Sequence, residues 1–207
     1  MRSAYQVQFE MQMSAATSRN NYEYLDILDR ARMESGLERT VGGTLCDIGS
    51  ASFWYAAALQ AFFRPDALVG IEVEGHRLFR DGRARIDYAA GYLAGLPNAR
   101  FLVANYEECE LPADIITAWF PFLTPAAILA WRLPLSLLAP DRLFPRIYHN
   151  LKAGGRLVMT NHGVEEARLA ADFCSAAGLQ RIHQSVVQGP LSAHRLCPAI
   201  VSYWTRS

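Results

Sequence analysis

The chain has almost no lysine. Lys152 is the only one, and the other 19 of its 20 basic residues are arginine. We read that as compositional bias rather than chemistry. Cysteine is sparse too: Cys46, Cys109, Cys174 and Cys197 form no CxxC and no paired spacing. That excludes the usual zinc spacings and a disulfide framework, so no metal site is expected. Free thiols suit a reducing compartment, and a cytoplasmic location is the expectation. Neither sign of charge is in excess, with 20 basic and 20 acidic residues. A generally basic nucleic-acid coat protein and a polyacidic tail are thereby excluded. The first twenty residues, MRSAYQVQFEMQMSAATSRN, lack the apolar core of a secretory signal. Between Asp114 and Asp141 only Arg132 is charged, but Pro121, Pro125, Pro134 and Pro140 cut the stretch into short pieces. None is long enough to cross a bilayer as one helix, so no integral membrane segment is expected.

What is present is a large apolar fraction. Of 207 residues, 51% are hydrophobic and 19% charged, enough to bury one core without staples. Residues 1–40 read as an N-terminal arm and helix, and 41–207 as the main domain. Residues 1–20 show no periodicity and are expected to be a loose arm. A helix is expected over 22–37, with Tyr22, Leu25, Leu28 and Met33 on one face. Short apolar runs then alternate with helical patterns. Strands are expected at 44–49, 67–73, 99–105, 114–120 and 156–161. Helices are expected at 52–63, 76–96, 141–155 and 164–178, with short helices after the prolines. Arg77, Arg80, Arg83 and Arg85 fall on the 76–96 segment and read as a solvated helix face. Two last strands lie near 180–187 and 197–204. This alternation predicts an α/β fold: a doubly wound, mostly parallel sheet with helices on both faces. About ten residues around Gly189-Pro190 separate the last two strands, too few for a crossover helix, so that pair is antiparallel.

Ligands of such sheets bind at the carboxyl ends of the strands. The informative residues are therefore Asp47-Ile48-Gly49-Ser50-Ala51-Ser52, Glu72-Val73-Glu74, Asn105-Tyr106-Glu107, Trp119-Phe120-Pro121-Phe122 and Asn161-His162-Gly163. Gly49 opens a helix start to a close ligand. Glu72 ends the next strand, where an acid can accept hydrogen bonds from ribose hydroxyls. This is a nucleoside-binding pattern.

From about residue 40 onward the chain resembles the class I S-adenosylmethionine-dependent methyltransferases. TLCDIGSAS, LVGIEVEGHRL, ARFLVANYEECELP and LFPRIYHNLKAGGRLVMTNHG carry the resemblance. It implies seven strands with the last antiparallel, and S-adenosylmethionine as cofactor. It places Asp47, Gly49, Ser50 and Ala51 at the methionine part, Glu72 at the ribose, and Asn105 and Tyr106 at the adenine. Two further loop glycines of that family are here Ala51 and Phe53. Ala51 fits if its φ is negative, and Phe53 implies a changed loop path or a narrowed pocket. The fourth strand end lacks the Asn/Asp-Pro-Pro-aromatic motif of base and amide methylases, which lowers a nucleic-acid reading.

The function this implies is methyl transfer to a small, apolar or aromatic substrate. His162, after the fifth strand, is the candidate general base, with Tyr106 and Glu107 behind it. Trp119, Phe120 and Phe122 are the candidate substrate pocket, roofed by residues 119–140. Loss of the two glycines leaves a second reading open, a non-catalytic binding or assembly protein. The apolar 115–140 stretch would then be an interface, and a homodimer stays open as well.

Overall fold

The computed structural model describes residues 2–207. In chain order its elements are α1 (Arg2–Tyr5), α2 (Ala15–Ser35), β1 (Thr44–Ile48), α3 (Ala56–Phe63), β2 (Ala67–Glu72), α4 (Arg85–Leu93), β3 (Ala99–Val103), β4 (Ala113–Trp119), α5 (Pro125–Ala130), α6 (Pro140–Asn150), β5 (Leu151–His162), α7 (Gly163–Ala176), β6 (Gln180–Val187) and β7 (Ala199–Thr205). Short 3-10 turns lie at 9–11, 106–108, 135–137 and 190–192.

The seven strands form one sheet in the order β3-β2-β1-β4-β5-β7-β6. The first five are parallel, and β7 runs antiparallel between β5 and β6. Strand side chains alternate between two cores, as the two-residue period requires. Leu45, Leu68, Ile115 and Val158 face α2 and α3. Cys46, Val69, Ile116, Leu157 and Met159 face α6 and α7. Burial on both sides explains why β1, β2 and β4 read as nearly continuous apolar runs. The strand order reverses between β1 and β4, so the binding crevice is expected beyond their carboxyl ends.

The N-terminal segment differs from the expected loose arm. Tyr5 and Phe9 are buried. Tyr5 stacks on Phe62, and its hydroxyl donates to Asp29 at 2.6 Å. Their irregular spacing hid them from a periodicity search. Helix α2 starts earlier than expected, at a Ser14 cap that accepts from Thr17 N. Leu25 and Leu28 are buried as expected, but Met33 is exposed; Tyr24, Ile27 and Ala31 complete the apolar face.

The expected 76–96 helix exists only over Arg85–Leu93. Before it the chain makes a tight turn. Phe79 N donates to Arg83 O, Gly82 takes a φ of +81°, and Leu78 bridges Ala84. Asp87 then accepts from Ala84 N and starts the helix. The LKAGG segment belongs to the start of β5 rather than to the end of α6. Gly154 (φ +72°) and Gly155 sit where the pairing with β4 is irregular. A Cβ on Gly155 would lie 2.8 Å from Lys152 O. Among the described residues no helix is long and apolar enough to cross a membrane.

Candidate functional site

The loop after β1 has a distinctive backbone. Gly49, Ala51 and Phe53 all take positive φ, at +67°, +51° and +56°. These alternate residues therefore adopt a conformation that glycine reaches freely and L-residues reach at a cost. Ala51 does not meet the condition of a negative φ under which it would fit without strain. Phe53 does not narrow the cavity either. Its ring is fully buried beneath the loop and packs over Gly70 of β2, where a Cβ would sit 2.5 Å from a ring carbon. Gly70 makes the space that Phe53 fills.

Two loop-proximal residues lie below the cavity wall. Asp47 is completely buried and accepts hydrogen bonds from Tyr55 Oη at 2.6 Å and Thr117 Oγ1 at 2.5 Å. Burial pushes its carboxyl up to about 7, and the two hydroxyl donors pull the other way. Ser50 is also fully buried, with an unpartnered Oγ. Neither lines the cavity.

Glu72 does line it. Its Oε2 accepts from Ala51 N, and its Oε1 accepts from Glu74 N, both at 2.8 Å. Arg85 Nη1 lies 3.1 Å from the same Oε1. A carboxylate has about four acceptor positions, so these three contacts leave room on Oε2. Arg85 is itself buried, lines the cavity and uses one donor on Glu72. It is the functional candidate that sequence reading missed. The 79–83 turn folds it back onto the end of β2, and helical periodicity gave no sign of that turn.

The cavity measures about 410 Å³. Gly49, Ala51, Glu72, Asn105 and Tyr106 line one part. Asn105 Oδ1 accepts from Glu107 N at 3.2 Å and caps the following 3-10 turn. Tyr106 is buried with an unpartnered hydroxyl. Glu107 also lines the cavity and pairs with Arg142 at 3.1 Å. Trp54, Tyr55, Trp119, Phe120, Phe122 and Trp131 supply the aromatic walls. Tyr24 of α2 joins them, its ring 4.1 Å from Trp119 and 4.6 Å from Tyr55. The indole N–H groups of Trp54 and Trp119 have no protein acceptor. Leu133, Leu137 and Ala139 close the cavity from the segment between β4 and α6.

His162 stands at the end of β5 on the cavity wall, beside Glu166 of α7. Its imidazole stacks on Phe120 with centroids 3.9 Å apart, and the Arg195 guanidinium lies 4.8 Å from the same ring. Partial burial, and then Arg195, lower the pKa of His162 below its usual value. It is therefore neutral at pH 7 and able to accept a proton. Glu166 accepts from the backbone N–H of His162, and burial raises its pKa. Arg195 is held by the buried Glu23 of α2.

No protein-family model and no curated protein matches this sequence. Solved structures do match in shape. A S-adenosylmethionine-dependent methyltransferase from Aquifex aeolicus superposes with a TM-score of 0.63 at 15% identity, over 89% of this chain and 92% of that one. The fold is that of the class I S-adenosylmethionine-dependent methyltransferases. The [4+2]-cyclase SpnF gives 0.61 at 16% identity, over 86% of this chain and 78% of its own. Geranyl diphosphate C-methyltransferase from Streptomyces coelicolor, solved with Mg2+, geranyl diphosphate and S-adenosyl-L-homocysteine, gives 0.61 at 11% identity, over 91% and 79%. The cyclase among these neighbours illustrates that a fold does not name a reaction.

Proposed function

We propose that this chain transfers the methyl group of S-adenosylmethionine to a small, apolar or aromatic acceptor. One observation carries the reading. Gly49 and Ala51 after β1, Glu72 at the end of β2, Asn105 after β3 and the aromatic residues after β4 line a single cavity. A nucleoside held at one part would therefore share a water-poor space with an apolar acceptor held at the other.

The residues present fit the cofactor. Glu72 keeps an acceptor position for a ribose hydroxyl, and Arg85 has donors left for a ribose oxygen. Gly49 leaves open space where a side chain would stand. Asn105 retains one amide lone pair. The cofactor supplies a methyl carbon on a cationic sulfonium, whose charge is lost on transfer.

The protein's own work is then positioning, exclusion of water and handling of one proton. The aromatic walls hold the acceptor and keep bulk water out. His162, neutral at pH 7, takes the proton from an acceptor hydroxyl, thiol or amine. Glu166 fixes the backbone at His162 and so its place on the wall.

The test is turnover. The enzyme is incubated with S-adenosylmethionine and a panel of small phenols, thiols and amines, and S-adenosylhomocysteine and methylated product are measured together. Trp119→Ala should raise the acceptor KM by about tenfold or more, a loss of about 1.4 kcal/mol, and leave the cofactor KM in place. Trp119→Phe, which keeps a ring beside Tyr24, controls for folding. Equal loss of acceptor and cofactor binding in the Phe variant, or no turnover across the panel, would overturn the reading.

A further inference from the structure

The cavity mouth has an apolar outer face. Leu129, Trp131 and Leu135 of the segment between β4 and α6 are exposed, and so are Val73, Leu78 and Phe79 of the loop after β2, each by 41% to 67%. The two segments are joined, because Arg77 Nη1 donates to Trp131 O at 3.0 Å. Trp131 and Val73 belong to both surfaces, lining the cavity while facing solvent. A protein in water gains nothing by surrounding its cavity mouth with exposed apolar side chains.

The charges on this face are one-sided. Residues 73–84 and 121–139 carry four arginines, Arg77, Arg80, Arg83 and Arg132, against Glu74 and Asp81. The chain as a whole is neutral, so the rest of the molecule holds the opposite balance. Asp81 is occupied by Tyr88 Oη and Arg83 N. Arg80, Arg83 and Arg132 are exposed and, among the described residues, none makes an ion pair.

We propose that this face docks on an anionic lipid bilayer, so that an apolar acceptor passes from the membrane into the cavity past Trp131. Indole and aliphatic side chains suit the headgroup level, and arginines beside them suit anionic lipid. The proposal rests on the reading of the cavity as an apolar-acceptor site. Docking itself is measured without cofactor or turnover, so the two can fail separately.

The experiment is co-sedimentation of the full chain with phosphatidylcholine vesicles, with and without phosphatidylglycerol. Binding is expected with phosphatidylglycerol only, and is expected to fall at high salt. Arg80→Gln with Arg83→Gln should weaken it about fivefold per arginine. Leu129→Ser with Leu135→Ser should weaken it too, and none of these four residues lines the cavity. Trp119 and Trp204 are buried, and Trp131 is the strongly exposed indole. Lipids brominated on their acyl chains should therefore quench fluorescence in the wild type and far less in Trp131→Phe. No sedimentation with anionic vesicles overturns the proposal. So does binding that none of the folded variants alters, or a solution dimer in which acrylamide fails to reach Trp131, which would assign the face to a second copy.

Discussion

Ala51 and Phe53 share a left-handed backbone, yet replacing each with glycine should act in opposite directions. At Ala51 the left-handed region costs about 1–2 kcal/mol for an L-residue. Glycine removes that strain and returns about 0.5–1 kcal/mol of it in chain entropy. Ala51→Gly should therefore stabilise by about 0.5–1 kcal/mol, or roughly 1–4 °C in Tm for a chain of this size. Phe53→Gly gains the same relief but loses a fully buried ring. Deleting a buried phenyl group costs about 3–5 kcal/mol, so the net loss is about 2–4 kcal/mol. Gly70 supplies the internal control. A methyl there meets the Phe53 ring at 2.5 Å, and Ser50 Oγ lies 2.9 Å away. Gly70→Ala should cost about 1–3 kcal/mol in the wild type and much less beside Phe53→Ala. Urea and thermal unfolding of the variants and the double mutant give all the values needed. Phe53→Gly as stabilising as Ala51→Gly would refute the reasoning, because the ring would then not be core. A Gly70→Ala cost that is equal in both backgrounds would refute it as well.

Glu72 and Arg85 should behave as a buried pair. Arg85→Met leaves the carboxylate with only two backbone donors and should cost about 3 kcal/mol, while Arg85→Met with Glu72→Gln should recover most of it; a urea-unfolding cycle checks this, and a single-variant cost below about 1 kcal/mol would contradict it. Asp47 gives a pH dependence. Its folded carboxyl titrates near 7 and its unfolded one near about 3.9. Between those values the folded chain holds a proton that the unfolded chain releases, so this contribution is fully present below about pH 4 and is lost as pH rises toward 7. Asp47→Asn should gain stability relative to the wild type between pH 5 and pH 7; a constant offset across that range would exclude the assigned cause.

Much of the sheet was legible because its central strands are buried on both faces. Leu45, Val69 and Ile116 lie in short apolar runs bounded by turns, and such runs announce parallel strands. The short Gly189-Pro190 connection likewise told the direction of β7. Positions that depend on folded-back loops were not legible. Arg85 read as one of four solvated arginines, and only the 79–83 turn brings it to Glu72. Tyr24 reaches the cavity because α2 packs across the sheet, a tertiary fact with no local signal. Phe53 looked like an obstruction because its partner, the missing side chain of Gly70, lies on another strand. Asp47 looked like a ligand contact because strand ends usually are, while Tyr55 and Thr117 enclose it.

The most direct measurement is thermal unfolding with S-adenosylmethionine, with S-adenosylhomocysteine, and with NAD as control. A ligand at about 100 times its Kd adds roughly 2.7 kcal/mol. For a chain of this length that is about 5–10 °C. The account predicts a rise with both sulfur nucleosides, none with NAD, and a reduced rise in Glu72→Gln. No rise with either nucleoside, in a wild-type chain that unfolds cooperatively, would contradict the assignment of this cavity to S-adenosylmethionine.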